Sequence, residues 1–372
     1  IVDRSVARYD MYPRSSFCRY ASLVQVRRDG DGVRKGREFR VALCGYYGFG
    51  NLGDEMLAEA LLAALENCGV PRSETVLLSA SPEHSARTLR VRSAPRWSPS
   101  EVFRALCNSD TLLLGGGGLF QDVTSLRSPL YYWGVLRMAL LAGARPWCAG
   151  QSVGPFLTRF GAWLACSALR QCLVRGVRDE RSARILDDWG LHSVRTCDPV
   201  FSLVPPASSS RKGSDLLVNI RPWGKELPRR TAEEAVRFAC SRSLSITGVA
   251  LAREDVEVME RLRGEKVFPA TRILLLEGEN WRDECSALFS EAWGVISMRL
   301  HAAILALLFG CPLTVVAYDP KVESLAAEWK VPRWRFSGPL PEPRFPESAS
   351  TPSEKRILFL EAFSRMCSVA LG

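Results

Sequence analysis

Short apolar runs that end in glycine and pass directly into a helical period recur along this chain, and that repetition permits few folds. The first run is Arg40-Val41-Ala42-Leu43-Cys44, followed by a glycine loop and by leucines at helical spacing from Asp54 to about Asn67. Further buried strands are expected at Thr75–Ser79, Thr111–Leu114, Pro146–Ala149 and Leu173–Arg175, with helices such as Leu130–Leu141 and Arg181–Trp189 between them. Strands alternating with helices cover both faces of a parallel sheet, so a doubly wound α/β fold follows.

The pattern starts again after Val204–Gly213, a stretch whose proline, serine and charge are linker composition. Its second series is Leu216–Ile220, Ser245–Ala250, Ile273–Leu276, Gly294–Ser297 and Leu313–Ala317. A chain of 372 residues is too long for one core, since single cores stop growing near ~250 to 300 residues. Two α/β domains with parallel sheets are therefore expected, at 39–205 and 214–335, with a cleft between them. Residues 1–38 read as a basic N-terminal extension, and 336–372 as a proline-rich segment ending in an amphipathic helix that can pack on either domain.

Lys plus Arg exceed Asp plus Glu, for a net charge of +9, so the long-range field attracts anions. The arginines are scattered and no DNA- or RNA-reading motif occurs, which argues against nucleic acid. Twelve cysteines without a CxxC pair or zinc spacing read as free thiols of a reducing cytoplasm, with no metal site. The apolar stretch Pro129–Ala142 contains Arg137 and falls short of the ~20 residues a membrane span needs.

In open α/β sheets ligands lie beyond the carboxyl ends of the strands. Three glycine loops are expected there: Gly45–Asp54, Gly115–Gly118 leading to Asp122, and Gly150–Pro155. The first contains GxGxxG from Gly48 to Gly53. However, the second strand ends in Ser79-Ala80-Ser81, without the acidic residue that a dinucleotide ribose requires, and no glycine loop carries GK[ST]. Gly116, Gly117, Asp122, Asn51 and Asp54 are candidates to line a floor for sugar hydroxyls, with helix capping as the alternative for Asp54.

The second series supplies cations instead. Arg221 closes its first strand, Arg299 and His301 open the helix after Ser297, and Lys321 follows Leu313–Ala317. A regular sheet makes Arg221, His301 and Lys321 converge on the cleft, and Arg127 lies just before a helix of the first domain, where it reaches the same floor or is an exposed solvating arginine. A salt bridge elsewhere is the alternative for Arg299. The segment Pro155–Gln171, with Phe156, Phe160 and Trp163 beside Arg159 and Arg170, is a candidate membrane contact, although such a stripe also suits a core.

Taken together, GYYGFGNLGDE (Gly45–Glu55), GGGGLFQD (Gly115–Asp122), TSLRSPLYY (Thr124–Tyr132), GQSVGP (Gly150–Pro155), VRDERS (Val177–Ser182), SMRLHAAILALLFGCP (Ser297–Pro312) and AYDPKV (Ala317–Val322) resemble the polysaccharide pyruvyl transferase family, in its bacterial cell-surface branch. The resemblance implies two facing Rossmann-like domains of the glycosyltransferase B class. It implies phosphoenolpyruvate as donor, no metal, and transfer of pyruvate as a ketal. The implied acceptor is a sugar such as N-acetylmannosamine in a lipid-diphosphate-linked precursor, modified at the 4,6 positions at the inner membrane face. It also implies His301 and Lys321, with Arg127 and Arg221, in donor binding and catalysis, His301 as the proton-transfer residue; Arg299 is a further donor candidate, and Asn51, Asp54, Gly116, Gly117 and Asp122 are the candidates around the acceptor. A nucleotide-sugar glycosyltransferase of the same fold and a non-catalytic glycan-binding paralogue are the competing readings.

Overall fold

A computed structural model describes residues 36–123, 125–203, 213–278 and 280–372. Most of the basic extension and the linker composition at 204–212 lie outside the described residues. The first unit runs β1 (Phe39–Cys44), α1 (Leu52–Asn67), β2 (Thr75–Ser79), α2 (Pro82–Leu89), β3 (Arg92–Pro95), α3 (Pro99–Cys107) and β4 (Ser109–Leu114). It continues through β5 (Gly117–Phe120), α4 (Arg127–Ala142), β6 (Arg145–Val153), α5 (Arg159–Leu169), β7 (Arg175–Val177), α6 (Glu180–Asp188) and β8 (Val194–Arg195).

The second unit runs β9 (Asp215–Asn219), α7 (Glu226–Cys240), β10 (Ser245–Ala250), α8 (Arg253–Gly264), β11 (Arg272–Leu275) and α9 (Trp281–Ser290). Then come β12 (Ala292–Ser297), α10 (Leu300–Leu308), β13 (Leu313–Val316), α11 (Pro320–Trp329), β14 (Arg333–Trp334) and finally α12 (Pro352–Leu371). The two sheets are ordered β3-β2-β1-β4-β6-β7-β8, with β5 added on β6, and β11-β10-β9-β12-β13-β14. All strand pairs within them are parallel. Each order reverses once, between β1 and β4 and between β9 and β12, which is where such sheets open a crevice.

The central strands are buried on both faces because their side chains are almost all apolar: Val41 to Cys44, Leu112 to Leu114 and Leu216 to Val218 are fully inaccessible. β6 is longer than the expected Pro146–Ala149, and Gly150 to Val153, read as a loop, continues it as buried strand. Likewise Gly117–Phe120 pairs with β6 rather than staying in a loop. One apolar cluster joins the two units, with Leu57, Val200 and Phe201 of the first against Ala303, Leu307 and Trp329 of the second. Across this seam Phe201 stacks on Trp329 at 5.4 Å, and the Leu52 amide donates to the Leu251 carbonyl at 2.8 Å.

The C-terminal helix returns to the first unit. Thr351 and Glu354 form a reciprocal capping box that starts α12. Its Phe363 packs on Trp147 beneath the first sheet, with ring centroids 5.5 Å apart.

Candidate active site at the domain interface

Both switch points face the same cleft, and the residues that follow their strands meet there. Asn51 caps α1 by accepting from the Gly53 amide (3.2 Å), while its side-chain amide donates to the Asp54 carboxylate at 2.6 Å. The capping role belongs to Asn51, which leaves Asp54 in the first turn. Asp54 is partly buried and lies in the fields of Arg299, Arg178, Lys321 and Arg221. Burial nevertheless prevails, and its carboxyl is pushed up to about 6.

The first glycine loop does not keep its amides for a ligand. Glu55 reaches back so that its carboxylate accepts from the Gly48 amide at 2.7 Å, and burial raises that carboxyl to about 7. What the loop offers instead is close approach. A Cβ on Gly53 would stand 2.1 Å from His301 Nδ1, so the absent side chain lets the second domain's histidine lie against α1.

His301 is in the first turn of α10, as the SMRLH segment implied. Its side chain is only 14% exposed, and Nε2 lies 3.8 Å from Asp198 Oδ2 without a hydrogen bond of its own. Burial first, with Arg178, Arg299 and Lys321 adding to it and Asp198 opposing, lowers the imidazole to about 4. The histidine is therefore neutral at physiological pH.

Asp198 is held on its other side. It forms a buried ion pair with Arg178 and accepts from the Val200 amide at 3.0 Å. Arg178 Nε donates to Ser152 Oγ (2.7 Å), and that hydroxyl donates to Asp179, the cap of α6. Arg178, Asp198 and Ser152 escape the sequence reading. An expected strand ending at Arg175 hides the fact that β7 ends at Val177, which makes Arg178 the residue immediately beyond a strand. Asp198 follows β8, only two residues long and too short for any periodic signal.

Lys321 opens α11, whose N-terminus Asp319 caps. A Cβ on Gly118 would lie 2.0 Å from Lys321 Nζ, so the ammonium crosses the cleft onto the floor of the first domain. No carboxylate among the described residues pairs with it, and burial, ahead of the opposing Asp319, lowers its affinity for a proton. Arg221 follows β9, donates to the Tyr318 hydroxyl at 3.3 Å and lies 5.8 Å from the Trp223 ring centre. Its Nε is buried without a partner.

Other expected site residues have different surroundings. The Arg299 guanidinium, expected on a donor, is committed to Asp255 through two bonds of 2.6 Å and to Glu254 through a third. This is the salt-bridge alternative. Asp122, expected on sugar hydroxyls, is 5% exposed and accepts from the amides of Leu157 (2.5 Å) and Thr158 (2.9 Å). Its oxygens are occupied by the turn that leads into α5. Gly116 is packed beneath Leu57 and Pro199, whereas Gly117 faces Asp54, with a Cβ there reaching 3.8 Å from Oδ1. Arg127 is exposed at the first residue of α4. A cavity of about 900 Å³ beside the glycine loop is lined by Phe49, Leu52, Glu55, Arg253, Trp281 and Arg282, and neither His301 nor Lys321 borders it.

The site thus combines a neutral imidazole, a carboxyl titrating near neutrality, and the cations Arg178, Arg221 and Lys321 from two domains. Such a set has the charge to suit a compact polyanion and the titrating groups to move protons beside it.

Comparison with known proteins identifies the family and the fold. A family model described as polysaccharide pyruvyl transferase matches residues 51–320. A search of curated proteins gives no match. Among solved structures, a putative UDP-N-acetylglucosamine 2-epimerase from Listeria monocytogenes is similar at TM-score 0.53 and 11% identity, over 89% of this chain and 91% of that one. The Staphylococcus aureus MnaA–UDP structure is similar at TM-score 0.50 and 13% identity, over 89% and 98%. A glycosyltransferase from Rickettsia africae is similar at TM-score 0.50 and 9% identity, over 90% and 96%. At these identities the likeness establishes the fold, two Rossmann-like domains of the glycosyltransferase B type.

Proposed function

Because this chain belongs to the polysaccharide pyruvyl transferase family, we propose that it transfers pyruvate from phosphoenolpyruvate onto a sugar of a lipid-diphosphate-linked polysaccharide precursor. The product is a ketal, 4,6-linked on a sugar such as N-acetylmannosamine, and phosphate is released. The observation that carries this reading is the meeting of Lys321 and Arg221 with His301 and Asp54 over a glycine-lined floor.

In this reading Lys321 and Arg221 hold the donor's phosphate and carboxylate. A polyanion seated there opposes the cations that depress His301, so donor binding lifts the imidazole toward its ordinary range and makes it an acid. His301 then protonates the donor's methylene carbon, and C2 becomes an oxocarbenium-like electrophile. Asp54, ionised above about 6, takes the proton of the first sugar hydroxyl as that oxygen bonds to C2. The C2–O bond to phosphorus breaks, the second hydroxyl closes the ketal, and its proton leaves with phosphate. One C–H and two C–O bonds form while the C=C π bond, one C–O bond and two sugar O–H bonds are lost, and the proton taken by Asp54 replaces the one given up by His301. Gly117 and Asn51 border the acceptor side of Asp54, and the reaction takes place at the inner face of the membrane.

A thermal-shift comparison tests the donor. Phosphoenolpyruvate should raise the melting temperature, and Lys321→Met should abolish the rise. Stabilisation by UDP but not by phosphoenolpyruvate would instead make the chain a nucleotide-sugar glycosyltransferase.

A further inference from the structure

The start of α4 and the start of α5 form one surface, because Asp122 binds the Leu157 and Thr158 amides while Ser128 Oγ donates to the Leu119 carbonyl at 3.0 Å. That surface is apolar where it should be polar. Leu157 is 65% exposed and Phe160 52%, with Leu126, Leu130 and Val123 also open to solvent. Behind them Phe160 stacks on Trp163 at 5.9 Å, and Trp163 lies 6.3 Å from Trp133, over which Arg137 is placed. Scattered exposed leucines require no explanation, but a contiguous set backed by tryptophans does.

Charge indicates what covers it. From residue 123 to 178 the sequence contains no aspartate or glutamate, while Arg127 and Arg159 open the two helices and Arg137 lies farther along α4, over Trp133. Leucine and phenylalanine at the tip, tryptophan behind and arginine around form the arrangement that seats a protein in the headgroup layer of an anionic bilayer. No helix among the described residues is long and apolar enough to cross one.

We propose that this surface docks the protein on an anionic lipid bilayer, with Leu157 and Phe160 entering the apolar boundary and the arginines meeting lipid phosphates. The inference deepens the proposed function, since α4 and α5 start at the carboxyl edge of the sheet that faces the cleft. Its test does not depend on that function.

The full chain would be floated with vesicles of phosphatidylglycerol and phosphatidylcholine, and with phosphatidylcholine alone, neither containing a glycolipid. Binding to the anionic vesicles only, weakened by salt, is expected. Leu157→Ser with Phe160→Ser should cut it by about tenfold or more, and Arg159→Glu by about fivefold or more. Circular dichroism melts and protection by phosphoenolpyruvate should remain as in the wild type. Absence of binding to anionic vesicles would overturn the proposal, as would equal binding by the variants. A concentration-dependent dimer that the double serine variant abolishes would overturn it too, by making a second copy the occupant. Vesicle binding without any response to phosphoenolpyruvate would sink the donor reading and leave the surface standing.

Discussion

Replacing His301 with glutamine should make the protein more resistant to acid, even though it removes the proposed proton-transfer group. In the folded state the imidazole is lowered to about 4, whereas in the unfolded chain it titrates near its ordinary ~6.5. The unfolded state therefore takes up a proton first. Stability is unaffected above about 6.5 and declines as pH falls from there toward 4. At pH 5 the unfolded state gains a factor of about 30, or about 2 kcal/mol, with a limit near ~3.4 kcal/mol below pH 4. Glutamine cannot titrate, so urea denaturation at pH 7.5 and pH 5 should show the wild type losing about 2 kcal/mol more than His301→Gln. Equal losses would show that burial and the cations around the cleft do not depress this histidine. With three histidines in the chain, ring NMR provides a second readout, and the depressed resonance should move up in pKa when phosphoenolpyruvate is added.

Further substitutions separate binding, chemistry and framework. Gly118→Ala places a methyl group 2.0 Å from Lys321 Nζ and should weaken phosphoenolpyruvate by roughly 10-fold or more, the value of one charge-assisted contact, as read by calorimetric titration. The activity limb set by Asp54 should fall as pH drops through about 6, where its carboxylate takes up a proton, and Asp54→Asn should remove that limb from the kcat/KM profile along with most of the rate. Arg299→Ala leaves Asp255 buried and unpaired and should cost about 3 to 5 kcal/mol in denaturation, with phosphoenolpyruvate affinity nearly intact in the protein that remains folded. Asp122→Ala should likewise cost about 1 to 3 kcal/mol, since the Leu157 and Thr158 amides lose their acceptor, without changing the KM for acceptor.

The central strands were legible because their burial on both faces leaves continuous apolar runs, as at Val41 to Cys44 and Leu216 to Val218. Strands β3, β8 and β14 are short and partly exposed, so no periodicity marks them. The positions of His301, Lys321 and Arg221 after strand ends were equally legible, since topology alone brings strand ends to one edge. What a charged side chain touches is a different matter. Asp122 and Arg299 have the residue types of ligand contacts, but distant partners occupy them, the amides at 157 and 158 and the carboxylate of Asp255. Those pairings span 35 to 44 residues and follow from packing, not from local pattern. The glycines show the converse: Gly53 and Gly118 belong to glycine loops expected to line a ligand floor, whereas the space beside them is taken by His301 and Lys321 of the other domain.

The most direct test is a reaction in heavy water with phosphoenolpyruvate and a synthetic lipid-diphosphate disaccharide ending in N-acetylmannosamine, followed by phosphate release and product mass. Phosphate released in step with a ketal whose methyl group carries a single deuterium is the predicted result. Phosphate released without a mass gain on the sugar, or no turnover of phosphoenolpyruvate alongside consumption of a nucleotide sugar, would contradict it.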